Sequence, residues 1–120
     1  MKGQNLDRIP NTENAIIDAE KLHGYILSFS HPIGRFKAAV FQKLGYSAEN
    51  WGLLETTLKE IILSNAIGEF EDTEYGRKYI AEGFTISPTG KSVHLVTVWI
   101  ILKEETIPRF VTVYPRGRLR

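Results

Sequence analysis

Two hydrophobic periods divide this chain. Up to about residue 65 apolar side chains recur at helical spacing, and from Tyr75 onward they alternate with a period of two. In the first part Leu22, Tyr25, Ile26 and Phe29 fall on one face of a helix that Asp18 can cap and that begins at Ala19. Ser30-His31-Pro32 stops it. Proline favours the first helical position, which makes His31 the cap of a second helix, running from about Pro32 to Leu44. Ile33, Phe36, Val40, Phe41 and Leu44 line its apolar side, and Gly45 ends it. A third helix is predicted from Ser47 to about Asn65, with Trp51, Leu54, Leu58, Ile61 and Ile62 as its buried stripe.

The acidic stretch Glu69–Glu74 reads as a linker loop, followed by strands at about 76–86, 92–102 and 109–114. Pro88-Thr89-Gly90 and Lys103–Pro108 supply the turns, and such short connections imply an antiparallel meander. A further short strand is possible at Ala15–Ile17. Helices first and strands later predict an α+β fold, with N-terminal helices packed on one face of a C-terminal antiparallel sheet of three to four strands. The whole, 1–120, reads as a single domain with a loose leader at 1–13 and a flexible basic tail at 116–120.

The strands sort into two unlike sets. Ile80, Phe84 and Ile86, then His94, Val96, Val98, Ile100 and Leu102, then Val111 and Val113 form aliphatic ladders, and these are expected to meet the helices. Arg77, Tyr79, Thr97, Trp99, Thr112 and Tyr114 form the other set, which resembles a recognition surface suited to phosphate and bases. A β-bulge would flip this assignment from that point onward.

Composition adds bounds. With 42% hydrophobic residues and no apolar run near the length of a membrane span, a membrane partner is not expected. The polar first ten residues are unlike a secretory signal, and the chain has no cysteine, which fits a cytoplasmic protein. The net charge of +1 hides a division: residues 1–74 hold 7 Lys/Arg against 11 Asp/Glu, residues 75–120 hold 8 against 3. A basic strand half favours anionic partners, although the two halves also suit each other. There is no nucleotide, zinc or calcium motif, so no cofactor or metal is predicted.

Lys37 lies only about 40° from both Ile33 and Phe41 around its helix, inside the apolar arc. An ammonium there must be paired, or snorkel out of the core, or serve an anionic transition state. His31 stands at a helix start beside Gly34, Arg35 and Lys37, which suits an acid or base near neutrality as well as a plain cap. Arg35 points to the opposite side of the helix, as a surface or phosphate-contact residue. His94 reads as a structural histidine and His23 as surface. Thr112 and Tyr114 share a face, and both hydroxyls could bind phosphate. Trp99 is either a stacking platform or core.

A sequence pattern joins these residues: Ile9-Pro10, Asn14 to Asp18, His31-Pro32-Ile33-Gly34-Arg35-Phe36-Lys37, Tyr75-Gly76-Arg77-Lys78-Tyr79, Val98-Trp99-Ile100 and Pro108 to Pro115. Over nearly its whole length the chain resembles a bacterial family of small stand-alone proteins of unknown function. At a more distant level, helices carrying a His and a Lys, then a last strand ending in Val111-Thr112-Val113-Tyr114-Pro115, are similar to toxin ribonucleases of the barnase, EndoU, colicin and RelE group. In those the residue between Thr and Tyr is usually alanine rather than valine. His31 and Lys37 match loosely, in order and type.

The resemblance implies metal-independent RNA cleavage, with RNA and a cognate antitoxin as partners. On this reading His31, Lys37, Arg77, Thr112 and Tyr114 are the catalytic set, and Arg35, Tyr79, Trp99 and Arg109 bind substrate. The alternative is a noncatalytic module, immunity- or antitoxin-like, or one that binds RNA without cutting it. An enzyme predicts His31 and Lys37 close to Arg77 and Thr112 across a cleft. A docking module requires Trp99 and Tyr114 in an exposed apolar patch.

Overall fold

The computed structural model describes residues 6–32, 34–64 and 67–116. The expected roles of Ile33, Arg118 and Arg120, the last residue of the third helix and the first five of the leader fall outside them. The fold is α+β. Its elements are β1 (Leu6–Arg8), α1 (Ala19–Lys21) running into a π-helical turn (Leu22–Ile26), α2 (Gly34–Lys43), α3 (Trp51–Ser64), β2 (Ile67–Asp72), β3 (Gly76–Ile86), β4 (Ser92–Leu102) and β5 (Arg109–Pro115). The strands form one antiparallel sheet in chain order, β1 to β5.

The sheet therefore has five strands among the described residues, and the predicted acidic linker is in fact largely β2. Acidic residues disfavour strands, but here they meet cations across the ladder: Glu71 stands opposite Lys78 and Asp72 opposite Arg77. Part of the expected leader is strand β1, paired to β2. The possible strand at Ala15–Ile17 reduces to one parallel bridge, in which Ile16 takes the amide of Phe110 and gives its own to Pro108.

The helix ends follow their local chemistry. Asp18 accepts from the Glu20 amide at the start of α1. Gly45, at φ 95°, closes α2, with the Tyr46 amide returning to the Phe41 carbonyl. α3 starts at Trp51 rather than Ser47, because the Asn50 side chain ties the Ser47 amide and the Gly45 carbonyl into a turn. Its stripe of Leu54, Leu58, Ile61 and Ile62 is buried as the spacing predicts. The first helix is shorter than expected, and Phe29 and Phe36 stand exposed, at 53% and 66%.

On β3 and β4 the two faces of the sheet are the reverse of the expectation, whereas on β5 Thr112 and Tyr114 keep the open side and Val113 the core. Tyr79, Ala81, Leu95, Thr97, Trp99, Phe110 and Val113 are buried against the helices, whereas Phe84 and Ile86 are 75% and 67% exposed on the other side. His94 belongs to that open side too, opposite Phe84. β4 is apolar on both sides, so its alternation does not say which set is covered. The aromatic set fills the space beneath the helices because its polar atoms are all satisfied there. Trp99 Nε1 donates to Thr97 Oγ1 (2.8 Å), which donates to the Ala81 carbonyl (2.6 Å).

A bulge separates the last strand from the simple pattern. Val98 pairs with Thr112 but Trp99 with Phe110, which leaves Val111 as the extra residue. Phe110 and Val113 therefore both face the core, and Thr112 and Tyr114 stay on the open side with Val98 and Val96.

Candidate functional site

β5 is an edge strand of the sheet. Two lysines cover that edge. Lys21 Nζ donates to the Val111 carbonyl at 3.1 Å. Lys37 Nζ donates to the Val113 carbonyl at 3.3 Å and to Thr112 Oγ1 at 2.5 Å. Charged side chains on an edge protect it from pairing with another chain, but the Lys37 contact does more. It brings an ammonium to a hydroxyl at the border of the open sheet face, across 75 residues of sequence. Lys37 thus lies inside the apolar arc of α2 and reaches out of it to a polar partner.

A close approach makes this possible. Gly34 is buried where α2 begins, and a Cβ on it would overlap the Tyr25 carbonyl. α2 can press this closely on the preceding π-helical turn only with glycine there. Gly34→Ala is expected to destabilise the protein by about 1–3 kcal/mol, read as a lower denaturation midpoint at unchanged slope.

Burial lowers the Lys37 pKa from its ordinary value by penalising the charged ammonium. The sign for stability follows. Between the lowered folded pKa and the unfolded value near 10.5, the unfolded chain holds the proton and the native one does not. Stability from this group therefore rises with pH through that window. The stability of the wild type relative to Lys37→Met is expected to increase from neutral pH towards pH 10.5, measured by urea melts at each pH. A difference that stays flat would contradict it.

His31 sits at the start of α2, where its Nδ1 accepts the Gly34 amide at 3.1 Å and its ring meets Tyr25 edge-on at 4.6 Å. It lines a shallow recess with Asp18, Lys21 and Tyr25. Arg35 is exposed and its guanidinium lies 5.0 Å from the Phe36 ring centroid.

Several expected substrate contacts lie elsewhere. Tyr79 (4% exposed) and Trp99 (0%) are core residues and offer no stacking platform. Arg77 shares the helix-side parity of Tyr79, three positions along and two strands across from the Thr112 row, so it does not converge with Lys37. It is held by Asp72 through Nε (2.6 Å) and Nη2 (3.0 Å) and packs 4.0 Å over the Phe70 ring. That pairing raises the Arg77 pKa and holds the Asp72 carboxyl below its usual range. Arg109 is paired in the same bidentate way with Glu105, at 2.7 and 3.0 Å.

Thr112 and Tyr114 remain on the open face, Tyr114 39% exposed. Beside them a groove of about 350 Å³ crosses the sheet, lined by Glu69, Glu71, Lys78, Ile80, Val98 and Tyr114. Arg116, expected in a loose tail, instead continues β5: its amide donates to the His94 carbonyl and its guanidinium meets Glu82. Lys21 was not legible as part of this corner, since nothing local in the sequence tells that its side chain reaches a strand 90 residues away.

The architecture defines a class: a small α+β domain whose five-stranded antiparallel sheet is covered by helices on one face and open on the other. Within it the chain belongs to DUF6883, a family defined as a domain of unknown function, whose model matches residues 8–117. No curated protein matches. Among solved structures, a chain of the contact-dependent growth inhibition toxin–immunity protein complex from Klebsiella pneumoniae 342 is similar, at TM-score 0.64 and 24% identity over 89% of this chain and 97% of that one. At that identity the likeness concerns the fold. No helix among the described residues is long and apolar enough to cross a membrane.

Proposed function

We propose that this protein is a toxin-type ribonuclease that needs no metal, and that a cognate antitoxin or immunity protein is its partner. The observation that carries the reading is the contact of Lys37 Nζ with Thr112 Oγ1 at 2.5 Å. An ammonium and a hydroxyl from distant parts of the chain, joined at the edge of an open sheet face, form a ready site for a phosphate. Tyr114 stands two residues on, with Lys78 across the groove. The fold shared with a member of a toxin–immunity complex supports a toxin or an immunity role alike.

In this chemistry the 2′-hydroxyl of RNA attacks the adjacent phosphorus. The 5′-oxygen leaves, and the products are a 2′,3′-cyclic phosphate and a free 5′-hydroxyl. Lys37 offsets the charge that builds on the phosphorane, and Thr112 donates to one of its oxygens. Tyr114 binds a second oxygen or stacks on a base. Arg77, occupied by Asp72 on the other face, has no part in this arrangement.

The test is cleavage of total bacterial RNA by purified protein in EDTA, with growth scored in cells that express it. Cyclic-phosphate ends together with growth arrest are expected. Intact RNA and normal growth with folded protein would overturn the reading. The immunity-like alternative draws on the exposed Phe84 and Ile86 at one end of the open face, and that outcome would favour it.

A further inference from the structure

The open face holds a second polar cluster that neither the sequence pattern nor the Lys37 corner includes. Glu82 stands opposite Val96, and Val96 opposite Tyr114; in the next row Phe84 stands opposite His94, whose carbonyl takes the Arg116 amide. Glu82, His94 and Arg116 therefore rise together from three adjacent strands, beside Tyr114. His94 Nε2 lies 2.9 Å from Glu82 Oε1, with side chains 25% and 33% exposed. Arg116 approaches the same carboxylate at 3.2 Å through Nε and at 3.3 Å through Nη2. The His94 ring is stacked on Phe84, at 4.4 Å and 25°.

A surface ion pair needs neither a fixed ring nor a shared carboxylate, and contributes little stability. Here the imidazole is fixed on two sides, by a stack and by a carboxylate, while both heads remain open to solvent. Histidine is the side chain that moves a proton near neutrality. A guanidinium has five donors, so Arg116 can hold Glu82 and still offer N–H groups to a phosphate.

The placement relative to Lys37 also fits one phosphodiester. In-line displacement needs a proton acceptor on one side of phosphorus and a donor on the other. Glu82 and His94 touch, so they serve the same side. Thr112, which marks the Lys37 ammonium, stands two strands and two residues from Glu82, roughly 12 Å between backbones. Tyr114 lies between them.

Resting on the ribonuclease reading, we propose that Glu82 and His94 are its proton-accepting pair, that Arg116 binds the scissile phosphate, and that Lys37 protonates the leaving oxygen. The 2′-hydroxyl gives its proton to the Glu82–His94 pair as the 2′-oxygen bonds to phosphorus. The P–O5′ bond breaks, and the Lys37 ammonium supplies the proton that O5′ takes up. Exchange with water then restores the proton on Lys37 and removes the one on the pair. The lowered Lys37 pKa makes its ammonium a readier donor than an exposed lysine.

The decisive experiment uses an RNA oligonucleotide spanning a mapped cleavage site, made with either oxygen or sulfur at the 5′ leaving position. A thiolate leaves without a proton. Glu82→Gln and His94→Ala are expected to slow cleavage of both substrates by about 100-fold or more. Lys37→Ala should be slow on oxygen and recover on sulfur the share of the loss due to proton donation, while the share due to charge on the phosphorane remains. Glu82→Gln keeps the side-chain shape, so it reports on the proton even where His94→Ala is poorly folded. Wild-type rates in Glu82→Gln and His94→Ala, with Lys37→Ala inactive on oxygen, would overturn this assignment and leave the ribonuclease reading standing. Folded wild type that cuts no RNA overturns both.

Discussion

On the proposed ribonuclease function, Lys37→Ala is expected to lower RNA cleavage by about 100-fold or more while leaving the protein folded, because it removes the ammonium that meets Thr112 at the proposed phosphate site. Thr112→Val will lose a comparable factor, since it deletes the hydroxyl while keeping the shape. The informative result is the double variant. Lys37 and Thr112 are in direct contact, so on this proposal they serve one phosphate as a unit. Removing both should cost little more than removing either, far less than the product of the two factors. Full additivity would mean that the 2.5 Å contact joins no common site. Lys37→Arg will not restore the rate: a planar fork cannot take the place of a point charge that fits between Thr112 Oγ1 and the Val113 carbonyl. Lys21→Ala serves as the control. Its ammonium meets a neighbouring carbonyl of the same strand edge but no hydroxyl, so it should affect cleavage much less.

Trp99→Ala will have the largest effect on stability, about 3–5 kcal/mol, with a fall in melting temperature on the order of 10–20 °C. Trp99 is fully buried, meets Phe110 edge-on at 5.5 Å, and ends the hydrogen-bond chain through Thr97 to the Ala81 carbonyl. Losing the ring opens a cavity under the helices and also leaves Thr97 Oγ1 without the indole donor. Against a typical domain stability of about 5–15 kcal/mol, this leaves little margin. The measurement separates two roles. A stacking platform for bases would lose RNA affinity with its melting temperature intact. A core residue loses stability first, and whatever remains folded binds as before. Trp99→Phe should recover part of the loss, as it restores most of the volume but not the N–H.

How much of this was legible in advance depends on how far each feature reaches along the chain. The stop at Gly45, the stripe of α3, the turn at Pro88–Gly90 and the three C-terminal strands rest on local periodicity and turn chemistry. They appear where the sequence put them. The place of Lys37 within an apolar arc is local too, as is the shared face of Thr112 and Tyr114. β1 and β2 were not legible, because short or acidic strands have little propensity of their own and are stabilised by their partners.

The amino-acid sequence by itself determined the α+β order of elements and the alternation of side chains within each strand. It could not say which side meets the helices. Alternation fixes the two rows within one strand but not how the rows of different strands join: Thr112 and Tyr114, expected beside Trp99 and Tyr79, stand on the open side with Val98 and Val96. β4 is apolar on both sides, so only the packing of Trp99, Tyr79 and Phe110 beneath α3 and its neighbours decides which face is covered. The bulge at Val111, the reach of Lys37 to Thr112 and the convergence of Glu82, His94 and Arg116 are likewise properties of the tertiary structure. Each joins residues far apart in sequence, and pairing register together with the packing of α2 on the edge of β5 brings them together.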